Sequence, residues 1–130
     1  MKKSLIAIGI VLTMALAGCG IPSTSSTGSG SKMESKLSKE SWSFTQARYN
    51  GHHTARNVDL TRENLSAMQV KCSLGEGSAK LTVIQGNSEK IFDLGGEYIG
   101  YIDVGGFEPG RFQLRVDLDH ARDIDVLISW

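Results

Sequence analysis

The chain of 130 residues holds two cysteines, two prolines and three histidines. Two cysteines cannot build a disulfide framework, and no Cys-x-x-Cys or His-Glu-x-x-His spacing is present to hold zinc. No Gly-x-Ser-x-Gly elbow, phosphate loop or dinucleotide fingerprint occurs. Gly95-Gly96 and Gly105-Gly106 sit between strand patterns, with no helix following to receive an anion. Charge of one sign is not in excess, with 14 Lys and Arg against 14 Asp and Glu. That balance excludes the strongly basic face that nucleic acid requires, so no nucleic-acid partner is expected. Helical periodicity sustained over three turns is missing as well.

What is present begins at the amino terminus. Lys2 and Lys3 precede an apolar stretch from Leu5 to Leu16, interrupted by Gly9 and Thr13, and the small residues Ala17 and Gly18 follow. This order of charge, apolar run and small residues is that of a secretory signal peptide. The run is shorter than the about 20 residues that a membrane-spanning helix needs. Leu16-Ala17-Gly18-Cys19 resembles the lipobox of bacterial lipoproteins. The resemblance implies a diacylglycerol thioether on Cys19, cleavage before that residue, and residence on the outer face of the cell membrane. A diacylglyceryl group supplies the two chains that stable anchoring takes.

Residues 1–18 therefore read as signal, and residues 19–40 as a lipidated tether. Gly20 to Lys32 is Ser, Thr and Gly with one Pro and one Ile, and Met33 and Leu37 are the sizeable apolar residues after it. Such a composition is expected to form a flexible coil, spanning about 25 Å. The tether carries three Lys and two Glu; residues 41–130 carry nine Lys and Arg and twelve Asp and Glu, a net charge of −3. Lys32, Lys36 and Lys39 offer only weak attraction to anionic lipid.

Residues 41–130 suffice for one domain, and its pattern is all-β. Phe112, Leu114, Val116 and Leu118 alternate with polar residues, as do Ile124, Val126, Ile128 and Trp130. Asp119 to Asp123 between them reads as a hairpin connection. Asn50-Gly51 reads as a hairpin turn, because a type I′ turn needs positive φ at both central residues. A helical turn is expected at Thr61–Asn64, and turns at Gly75–Gly77, Gly86–Ser88 and Gly105–Gly110. Strands at intervals near ten residues predict an antiparallel β-sandwich, jelly-roll-like, of about 7–8 strands, or a small barrel. Trp42-Ser43-Phe44, Tyr49-Asn50-Gly51, Gly106 to Phe112 and Ile128-Ser129-Trp130 resemble small β-sandwich lipoproteins of Gram-positive bacteria, which have no assigned biochemical role.

Candidate chemistry is sparse. Asp117, Asp119, Asp123 and Asp125, with His120, gather hard ligands suited to Ca²⁺, against a reading as a solvated acidic face. His52 and His53 are adjacent and so point to opposite faces of a strand, which disfavours a shared metal. Cys72 alternates with Met68, Val70 and Leu74, as a buried small hydrophobe would. Tyr98, Tyr101 and Phe107 could mark a binding face. The expected function is a non-enzymatic binding or accessory module at the membrane, with an envelope protein or a glycan as partner. Two alternatives stand beside it: an inhibitor of an exported hydrolase, inserting the loop Gly106–Arg111, and a small hydrolase using His52, His53 or His120.

Overall fold

The computed structural model describes residues 21–130. The segments expected to be a signal peptide and a lipobox, with Cys19, lie outside them. The expected antiparallel all-β class is present. β1 (Ser23–Gly30), β2 (Met33–Leu37), β3 (Ser41–Leu60), β4 (Gln69–Ser73), β5 (Glu76–Gln85), β6 (Ser88–Gly95), β7 (Glu97–Tyr101) and β8 (Gly110–Ser129) are accompanied among the described residues by a single short helix, α1 (Arg62–Ala67), between β3 and β4. All eight strands belong to one hydrogen-bonded sheet, so the two layers expected from strand spacing are not separate sheets.

β3 and β8, twenty residues each, form the spine and pair antiparallel from end to end. The register shifts where Tyr49 and Gly51 face Ala121 and Leu118, so β8 carries one extra residue there, a β-bulge at which both strands crease. Bulges bend the strand that carries them. The bend is sharp: the Phe44 and His53 rings are 5.0 Å apart between centroids. Nine residues of straight strand would separate them by about 30 Å. The two arms of β3 therefore face each other, and both its ends lie at the pole opposite the bend.

This corrects two expectations. Asn50-Gly51 and Asp119–Asp123 are not hairpin turns but the crease in two continuous strands. The physical demand is the same in both cases, namely positive φ. Gly51 has φ 147°, His120 48° and Asp123 52°. By contrast, Gly86-Asn87 does close a two-residue hairpin between β5 and β6, and Gly86 supplies φ 59°.

The tether reading is corrected as well. β1 pairs with the second arm of β3, from Ser23 opposite Arg56 to Gly30 opposite Tyr49. β2 pairs with the first arm, from Met33 opposite Gln46 to Leu37 opposite Trp42. Every residue of β1 is exposed, so apolar burial does not hold it. Backbone hydrogen bonds to β3 do, and the side chains of Ser26 and Ser31 reinforce them. Ser31 Oγ accepts from the amides of Ala47 and Arg48, both at 3.1 Å. Gly28 lies opposite Gly51, and a Cβ on Gly28 would sit 2.4 Å from the carbonyl oxygen of Asn50. Only glycine at both positions lets the two backbones approach this closely.

The core fills the space between the arms. Trp42 and Phe44 come from one arm, Ala55 and Val58 from the other, and Phe112, Leu114, Val116, Val126 and Ile128 from β8. Thr61 caps α1, its hydroxyl accepting from the Asn64 amide while the Asn64 side chain accepts from Thr61 N. That helix covers the core with Leu65. Cys72 is fully buried, and burial, with Asp125 adding to it, pushes its thiol up to about 11. A thiol reagent at mildly alkaline pH is therefore expected to leave Cys72 untouched in the native protein and to label it after unfolding.

Candidate functional site at the bend

The crease in the spine gathers four of the candidate residues, His52, Asp117, Asp119 and His120. The Asn50 side chain accepts from the His120 amide at 3.1 Å, which ties β3 to the bulge of β8 at the crease. Bulges of this kind re-aim side chains and often border functional sites. On one flank lies an open groove of about 540 Å³, lined by Asn50, His52, Ser78, Lys80, Asp117 and Asp119. Lys80, Asp117 and His52 form one row across β5, β8 and β3. The Asp117 carboxylate is 3.2 Å from Arg115 Nε and 3.7 Å from His52 Nδ1. These pairs are about 40 % exposed and contribute little stability, so the Asp117 carboxylate and the Arg115 guanidinium remain available to a ligand. Asp119 Oδ1 accepts from His120 Nδ1 at 2.6 Å.

On the other flank a hollow of about 430 Å³ is lined by Ser29, Arg48, Tyr49, Asn50, His120 and Arg122. Arg48 lies directly opposite Arg122 in the β3–β8 register. Like charges in that position repel across the pair. The neighbouring carboxylate is Glu76, whose Oε1 is 3.4 Å from Arg122 Nε, on a pair that is mostly exposed.

The four aspartates are not gathered at one point, which the Ca²⁺ alternative would require. With no hairpin between them, Asp117 to Asp125 run along one extended strand. Asp117 turns to His52, Asp119 to His120, and Asp123 to Gly75. Among the described residues no three His, Cys, Asp or Glu side chains come together as metal ligands. The aromatic candidates separate too. Tyr101 and Ile99 are exposed on β7, Tyr98 donates to the Tyr101 carbonyl, and Phe107 is buried against Phe112 with centroids 5.4 Å apart. The loop around Phe107 is tied to β5. The Gln85 side chain donates to Glu108 O at 2.7 Å and accepts from Glu108 N at 3.2 Å.

Sequence reasoning missed one constellation. Ser26, His53 and Gln46 form a chain of hydrogen bonds between β1 and both arms of β3. The Gln46 amide nitrogen donates to Ser31 O, so its oxygen faces His53 and accepts from Nε2–H at 2.9 Å. Nδ1 is then the acceptor, and Ser26 Oγ donates to it at 2.6 Å. His53 is 1 % exposed, stacked 4.2 Å from Tyr49 and edge-on to Phe44. Burial lowers its pKa from 6.5 to about 4, and His52 beside it adds to the shift. The connectivity is that of nucleophile, base and orienting amide. The energetics are not: a general base works best with a pKa near the operating pH, and the imidazolium it must become is disfavoured here. The network serves as a clasp, holding Ser26 and Ser31 to the sheet. No local motif could have revealed it, because its residues lie up to 27 positions apart. Comparison with protein families, with curated proteins and with solved structures finds no match to this chain.

Proposed function

We propose that the protein is an outer-surface lipoprotein, anchored through Cys19, which binds an anionic, hydroxyl-rich envelope glycan at the crease. The observation that carries the ligand class is Arg48 opposite Arg122 at the edge of a hollow. An anion seated there would relieve the repulsion between the two guanidiniums, and Arg suits bidentate contact with phosphate or carboxylate. The polar groove beside it offers Asn50, Ser78, Lys80 and the aspartates to sugar hydroxyls. Lipid confinement raises the local concentration, so modest affinity suffices.

The test is sedimentation of the protein with purified cell-wall sacculi, before and after their anionic polymers are removed. The proposal expects binding that falls with salt and with removal of those polymers. It expects Arg48→Ser with Arg122→Ser to weaken binding about tenfold, the loss of two exposed charge-assisted contacts. Equal binding to stripped sacculi, or by the double variant, contradicts it.

A further inference from the structure

The strands in place of a tether change where the domain stands. Pro22 is three residues from Cys19, so covalent geometry keeps the two within about 11 Å. Ile21 is 83 % exposed, and its carbonyl is held by the Asn57 side chain at 3.2 Å. Asn57 itself sits at the register shift between Ala55 and Val58, where β3 carries one extra residue, with φ 59°. Beside this point is a hollow of about 370 Å³ lined by Pro22, Leu37, Lys39, Val58 and Trp130 together with Asp59. Trp130 is half-buried, and its indole Nε1 donates to Lys39 O at 2.8 Å. Asp59 faces Arg111 at 3.7 Å. The hollow lies at the pole where both arms of β3 end, and the crease is about 30 Å away at the other pole.

We infer that the pole carrying Ile21, Pro22, Leu37 and Trp130 rests on the bilayer, with the Trp130 ring at the headgroup level. This rests on the reading of Cys19 as lipidated. The chain length fixes the occupant: an acylated Cys19 leaves no room for a spacer between this pole and the lipid. Trp is a residue of membrane interfaces, with an apolar body and one polar edge, and Lys39 beside it suits an anionic headgroup. The crease then points outward, toward the wall.

The experiment uses the full chain, processed in cells and reconstituted in phosphatidylglycerol vesicles whose acyl chains are brominated near the glycerol. Trp130→Phe supplies the background from Trp42, which is fully buried. The inference expects bromine to quench Trp130 emission, and a flexible Gly-Ser insertion between Gly20 and Ile21 to reduce that quenching. Fatty-acid-labelled protein with no quenching of Trp130 overturns the inference and leaves the anchor standing. Emission that instead changes with protein concentration assigns the hollow to a second copy and also overturns it. Absence of fatty-acid label from Cys19 overturns the anchor itself.

Discussion

Gly51→Ala is expected to cost about 2–4 kcal/mol and to release β1 from the sheet. Two independent causes act. Gly51 has φ 147°, a backbone conformation closed to residues with a Cβ. A Cβ there would also lie 2.2 Å from the carbonyl oxygen of Thr27 and 2.6 Å from Gly28 Cα. The obstacle is backbone on both sides, so no side chain can swing away to relieve it. Gly28→Ala meets the same wall from the other strand, with Gly51 Cα at 2.7 Å. Both substitutions break one approach. Their effects should therefore fall short of additivity, because releasing β1 once removes the second clash. Urea unfolding of the two single variants and the double variant measures this. Full additivity would mean that Gly28 and Gly51 do not meet.

Acid should weaken the fold through His53. Its folded pKa, about 4, lies below the unfolded 6.5, so the unfolded chain binds the extra proton between those values. Stability from this group is complete above about pH 6.5 and is lost as pH falls toward 4, a change of about 3 kcal/mol. The loss should begin at β1, because Ser26 and Ser31 depend on the network that the neutral ring completes. His53→Leu removes this titration. It leaves the Gln46 carbonyl without its donor, which costs about 1–3 kcal/mol. The variant should be less stable at neutral pH and should show a flatter stability profile from pH 6.5 to 4. A variant whose profile follows that of the parent would place the titrating group elsewhere.

The strand pattern was legible because β8 alternates cleanly. Phe112, Leu114, Val116 and Leu118 are buried, and so are Ile124, Val126 and Ile128. The parity change between Leu118 and Ala121 was visible, but it signals a hairpin and a bulge alike. Twenty-residue strands are far longer than the usual 3–10, so two short strands were the natural reading. Asn50-Gly51 misled for the same reason, since positive φ is what both structures require. β1 was illegible on other grounds. Its residues Ser23 to Gly30 are wholly exposed and contribute nothing to the core, so hydrophobic patterning is silent about them. Composition marks such a stretch as coil, whereas its partners, Tyr49 to Arg56, lie 19 to 33 residues away. Of the candidate residues, His52, Asp117, Asp119 and His120 reached a common groove or its rim. Asp123 and Asp125 did not, because the turn expected at Asp119–Asp123 is part of the continuous strand β8. Arg48 and Arg122 escaped notice because only the register places them opposite each other.

Central to the whole account is the placement of residues 23–30 as a strand of the domain. Amide hydrogen exchange on the full-length protein tests it most directly. The amides of β1 that bond to β3 should exchange far more slowly than in an unstructured peptide, and Gly51→Ala should abolish that protection while β4 and β8 keep theirs. Exchange of residues 23–30 at the free-peptide rate in the parent protein would contradict the account, and would return the segment to a tether.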